Sequence, residues 1–159
     1  MVSIQNFQRE APVDAARVKQ LVRCAIRILR IRASGTFAIT FISDRRMRTL
    51  NKRFLRHDRP TDVLSFRYDG EPIVGEILID PSQAKAYAKR HNVPYAEELS
   101  RYVVHGLLHW LGHDDKTAAQ QRAMRTREDR LLSQCGLRAQ GSGLRAIAPS
   151  PQPPAPSRV

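Results

Sequence analysis

The residues best equipped for chemistry fall in one short run. Between Val104 and Lys116 the chain reads H-G-L-L-H-W-L-G-H-D-D. His105 and His109 are four residues apart in an apolar stretch, so on a helix they project from nearly the same face, one turn apart. Gly112 offers a place for that helix to end, because a glycine just past the last turn takes the left-handed conformation at little steric cost. A chain folding back there can deliver a third ligand, Asp115 or alternatively His113, to the two imidazoles. Two nitrogens and one oxygen leave a fourth tetrahedral position open to water, the layout of a hydrolytic zinc site with one Zn2+ per chain.

A histidine pair at this spacing is weak evidence by itself, since helices carry such pairs by chance. Here it lies within Tyr102–Leu111, a run where uncompensated polar groups are expensive to bury. A turn signal and two carboxylates follow at once. The spacing His-x-x-x-His-x-x-Gly-x-x-Asp is that of the extended zinc motif of metzincin proteases. Those enzymes place a glutamate directly after the first histidine as general base, and here that position is Gly106. Peptide hydrolysis is therefore disfavoured, while metal-assisted attack on a phosphodiester stays open.

The elements that must position these residues follow from pattern and punctuation. A short strand is expected near Ser3–Gln8. Pro12 can open a helix whose apolar residues Val18, Leu21, Val22, Ala25, Ile26 and Leu29 recur at helical spacing to about Ile31. Thr36–Ile42 alternates as a strand, and Ser43 or Asp44 is suited to cap a helix carrying Met47, Leu50 and Phe54. Residues 55–61 read as a basic loop. Asp62–Tyr68 and Ile73–Ile79 flank the Asp69-Gly70 turn signal and read as a hairpin. Pro81 lies in the first turn of a third helix. A fourth, from Pro94 or Tyr95, carries the histidines, and a charged fifth runs from about Thr117 to Gln134. The expectation is an α+β fold, a small mixed sheet of about four strands packed with about five helices and joined by a hairpin rather than repeated crossovers.

At 159 residues the chain suits one domain with a real core, assigned to 1–135. Residues 136–159 hold five of the ten prolines and no acidic residue. They are expected to form a disordered tail. The 27 Lys and Arg against 15 Asp and Glu give a formal charge of +12. Arg138, Arg145 and Arg158 are the only charges of the tail, so most of the excess belongs to the domain. Such a balance favours a polyanionic partner. No apolar run approaches the ~20 residues that span a bilayer, and the opening residues M-V-S-I-Q-N-F-Q-R-E lack the charged start and long apolar stretch expected of a secretory signal. Cys24 and Cys135 lie far apart without metal-binding spacing, and a reducing cytoplasm with two separate, half-buried thiols fits them best.

Four ordered signatures carry a resemblance across most of residues 36–135. They are I-S-D-R-R-M-R-T-L-N-K-R-F at 42–54, P-T-D-V-L-S-F at 60–66, G-E-I-L-I at 75–79 and the histidine run at 105–115. In these the chain resembles the YbeY-type endoribonucleases, the bacterial rRNA maturation factors. The resemblance implies an α+β fold, a zinc held by three histidines, single-strand RNA cleavage at the 3′ end of 16S rRNA, and a part in ribosome quality control. It implies ribosomal RNA, the small ribosomal subunit and associated factors as partners, with no membrane. A ribosome-assembly factor with a structural metal is the alternative, and a zinc protease a more remote one.

Two positions depart from the family pattern. Its histidine motif ends H-G-x-L-H-L-x-G-Y-D-H, so its third histidine falls on Asp115, and its tyrosine on His113. The arginine that follows the aromatic of the second helix has no counterpart, because Phe54 is followed by Leu55. Arg56 and Arg59 are close enough to take over its role of gripping phosphate and stabilising transition-state charge. Within the signatures, Asp62 is expected to turn the chain at strand entry, with Val63, Leu64 and Phe66 in the core. Glu76 either lines the cleft or pairs with an arginine, and Asp114 is a candidate to hydrogen-bond a ligand histidine.

Overall fold

A computed structural model describes residues 1–55, 62–69 and 72–136, the side chain of residue 55 excepted. Arg56, Arg59, Gly70 and the 137–159 segment therefore lie outside the described residues. The elements in chain order are β1 (Val2–Asn6), α1 (Ala15–Ile28), β2 (Thr36–Phe41), α2 (Asp44–Leu55), β3 (Val63–Arg67), β4 (Ile73–Ile79), α3 (Pro81–His91), α4 (Tyr95–Trp110) and α5 (Ala118–Gln134). Four strands and five helices make the mixed α+β architecture expected from the pattern.

The connections differ in one respect. The sheet order is β1-β2-β4-β3, with β1–β2 and β2–β4 parallel and only β3–β4 antiparallel. Parallel neighbours need a crossover, and α1 and α2 supply the two. The β3–β4 hairpin is present, so the hairpin expectation holds for one connection and not for the others. Helix α1 also begins later than Pro12, because Asp14 is its cap and accepts from the Arg17 amide.

Strand alternation divides the core between the two faces of the sheet. Phe37, Ile39 and Phe41 of β2, Val63 of β3 and Ile77 and Ile79 of β4 pack with Val103, Val104, Leu107 and Leu108 of α4. The opposite face gives Leu64 and Leu78 to Ile42, Met47, Leu50 and Phe66 under α2. Helix α4 is thus the keel of the larger core and the carrier of the histidines.

Gly106 explains how closely α4 lies on the sheet. A Cβ there would run into Cγ2 of Ile77 and come within 3.2 Å of Cγ1 of Val63. Next to it, the Ser65 hydroxyl donates to the Gly106 carbonyl at 3.0 Å, tying β3 to the same turn. The position that a metzincin fills with its general base is here a packing contact, which gives a second reason against protease chemistry.

The cysteines require a correction. Cys24, on α1, and Cys135, just beyond α5, are joined in a disulfide rather than standing as separate thiols. Their 111-residue separation hid the pairing, yet folding brings the two Cα atoms to 6.0 Å, within ordinary bridging distance. No helix among the described residues is long and apolar enough to cross a membrane.

Candidate metal centre

Helix α4 ends as its sequence requires. The Gly112 amide donates to the His109 carbonyl and the His113 amide to Leu108, with Gly112 at φ +93°. That left-handed turn sends the chain back beneath the helix, and Asp115 arrives beside the imidazoles. Thr117 then opens α5 with a reciprocal capping box, its side chain accepting from the Gln120 amide while the Gln120 side chain accepts from the Thr117 amide.

His105, His109 and Asp115 each offer a ligand atom, and these lie within 4.8 Å of one another. Nε2 of His105 and Nε2 of His109 are 2.8 Å apart, and Oδ2 of Asp115 is 3.6 Å from each. All three side chains are at most 10% exposed. Asp115 Oδ2 has no hydrogen-bond partner, which is costly for a buried oxygen. Those three separations leave a point about 2 Å from each atom, the bond length of zinc to nitrogen or carboxylate oxygen. The donor set therefore fits a divalent cation of that size, and the orphaned oxygen gains its missing partner.

His113 lies outside this cluster. It is half-buried, and burial first, then the charges of Arg127 and His109, hold its imidazole below the ordinary histidine range. Asp114, the sequence candidate for orienting a histidine, is exposed. Another carboxylate takes that place: Nδ1 of His105 is 2.7 Å from Oε1 of Glu128, a residue of α5 only 2% exposed. Oε2 of the same carboxylate accepts from Nη1 of Arg101 at 3.1 Å, while Nη2 of Arg101 pairs with Asp129 at 2.8 Å. Sequence inspection passes over Glu128 because it sits in a charged helix whose exposed residues look the same. Helical phase was the available signal, since Met124, Glu128, Leu131 and Leu132 are its buried positions.

Burial lowers the affinity of His105 for a proton, but Glu128, through its hydrogen bond and charge, together with Asp62 and Asp115, reverses the balance and raises its pKa. Asp62 does turn the chain at strand entry, its carbonyl accepting from the Asp80 amide. Its carboxyl is sunk beside Tyr102 and His105, and burial pushes its pKa up despite them. Val63 and Leu64 are core as expected, with Phe66 half-buried against α2. Glu76 accepts from the Tyr68 hydroxyl at 3.0 Å, so its described partner is a tyrosine rather than an arginine.

An α+β protein with a buried His2Asp cluster is the class that fold and site define. The family model described as Endoribonuclease YbeY matches residues 3–136, and the chain belongs to that family. Endoribonuclease YbeY of Flavobacterium psychrophilum is 37% identical over 64% of this chain and 73% of its own length. The same-named protein of Flavobacterium johnsoniae is 31% identical over 80% of this chain and 93% of its own, and that of Geobacillus thermodenitrificans 30% over 76% and 85%. The solution structure of TM1509 from Thermotoga maritima has the same fold. Its TM-score is 0.59 at 21% identity, covering 91% of this chain and all of that one.

Proposed function

We propose that the protein is a zinc-dependent endoribonuclease that cleaves single-stranded RNA, acting in the cytoplasm on the 3′ end of 16S rRNA and in ribosome quality control. The observation that carries this is the convergence of His105, His109 and Asp115 on one cation-sized space in a chain of the YbeY family. His105 and His109 turn their Nε2 atoms toward the space they share with Asp115, whose negative charge would offset part of the cation's. Three protein donors leave an open position. The chemistry such an ion supplies is Lewis acidity toward a phosphoryl oxygen and a pKa lowered to about 7 for water.

The rest of the chain supplies RNA affinity. Beyond its +12 charge, it exposes two phenylalanines, each with an arginine over its ring. Arg46 lies 5.8 Å from the ring centroid of Phe7, and Arg53 lies 5.9 Å from that of Phe54. Aromatic faces beside guanidinium groups are what unpaired bases and phosphates stack on and pair with. Arg56 or Arg59, in the basic stretch of sequence after Phe54, holds the scissile phosphate in a bidentate grip and stabilises charge as it builds.

The test is metal content and cleavage together. Purified protein should hold one zinc per chain and cut single-stranded RNA in preference to duplex, and Asp115→Ala should lose both. Full zinc and full cleavage in that variant would overturn the ligand assignment. Binding to small-subunit particles with no cleavage above a His105→Ala control would instead favour an assembly factor with a structural metal.

A further inference from the structure

We infer that Glu128, braced by Arg101, is a positioning residue for the metal centre: it locks the ring orientation and tautomer of His105 so that Nε2 faces the cation. This rests on the metal reading proposed above and adds a residue from α5 to it. Arg101, His105 and His109 follow one another at intervals of four and so stand on one ridge of α4. Glu128 reaches across from α5 and engages the first two of the three, with Oε1 at 2.7 Å from His105 Nδ1 and Oε2 at 3.1 Å from Arg101 Nη1.

A carboxylate only accepts, so the proton of a neutral His105 belongs on Nδ1. Nε2 then carries the lone pair, on the side where His109 Nε2 lies at 2.8 Å and Asp115 Oδ2 at 3.6 Å. Arg101 occupies the second carboxylate oxygen and is itself held by Asp129, with Glu98 3.8 Å away, so Glu128 cannot rotate away without giving up a hydrogen bond to a buried guanidinium fixed in place. Buried ion pairs seldom stabilise a fold more than apolar residues of the same shape would. An Arg101–Glu128–Asp129 cluster with its arginine side chain 7% exposed is thus poorly explained as a stabiliser. It is well explained as a means of fixing one imidazole.

The isosteric Glu128→Gln variant breaks this arrangement with little change in shape. If its amide oxygen faces His105, its NH2 group faces Arg101, donor against donor. If the NH2 group faces His105, it donates to Nδ1 and drives the proton onto Nε2, where it blocks coordination.

The decisive measurement is zinc affinity, by competition with a chromophoric chelator, on Glu128→Gln and the unaltered protein. We expect a weakening of about 10- to 100-fold. Unchanged zinc affinity in Glu128→Gln overturns the inference while leaving the metal reading intact; an unaltered protein that takes up no zinc overturns both. Nitrogen NMR of the histidines in the zinc-loaded, unaltered protein gives a readout that no folding defect of the variant can confuse. His105 should show a protonated Nδ1 and a coordinated Nε2, and the opposite pattern overturns the inference even if Glu128→Gln fails to fold.

Discussion

The two faces of helix α4 obey different rules. Val103 and Leu107 are fully buried, and with Gly106 they share the side of the helix that meets Val63 of β3 and Ile77 of β4, where shape alone decides what fits. Arg101 and His105 are nearly as buried, but both are polar and are paired with residues brought by other elements. The apolar face is specified by the helix and the sheet it covers. The polar face is meaningless until α5 arrives with Glu128 and the turn after Gly112 arrives with Asp115. One helix thus holds the fold on one side and assembles chemistry on the other, and a perturbation should damage one without the other.

The largest effect belongs to the polar face. His105→Ala should lower RNA cleavage on the order of 10³-fold or more, since water without the metal returns toward its ordinary pKa. Its circular dichroism should remain that of the folded protein. An unfolded His105→Ala would show that the two faces are not separable.

Metal binding supplies the next test. A ligand bound only by the folded state stabilises it by about 2.7 kcal/mol at a hundredfold excess over its Kd. Zinc should therefore raise the melting temperature of the unaltered protein, a chelator should reverse the rise, and Asp115→Ala should show neither response.

The disulfide, which joins α1 to the end of α5, is a control. Cys24→Ser or added reductant should cost about 2–4 kcal/mol in denaturant unfolding, because the bridge restrains a long loop of the unfolded chain. Zinc affinity should be unchanged. A loss of zinc on reduction would tie the end of α5 to the metal site.

On the apolar face, Gly106→Ala should cost about 1–3 kcal/mol by overpacking against Ile77 and Val63. Its zinc stoichiometry should stay at that of the unaltered protein. The smallest effect is expected from Thr117→Ala, about 1 kcal/mol for a lost N-cap. Both are measured by chemical denaturation.

The same division marks what could be read beforehand. The elements were legible because local pattern encodes them: Ile73–Ile79 is a short, mostly apolar run following the Asp69-Gly70 turn signal, and α4 announces itself as an apolar run closed by Gly112. His105, His109 and Asp115 were legible because a helix and one turn suffice to relate them. Parallel pairing of β1 with β2 and of β2 with β4 was not, since strand order depends on how crossovers pack and not on any local pattern.

Thus the sequence by itself determined the strands and helices, the His-x-x-x-His pair, the turn that returns Asp115 and the strongly basic charge. Each is set within a few residues or by composition. Tertiary structure alone decided that Glu128 rather than Asp114 meets His105, that Cys24 meets Cys135, and that Gly106 is a contact surface rather than only a missing base. Those are relations between segments 23, 111 and tens of residues apart. Nothing in the intervening chemistry signals them, because proximity at that range is a property of the packed core.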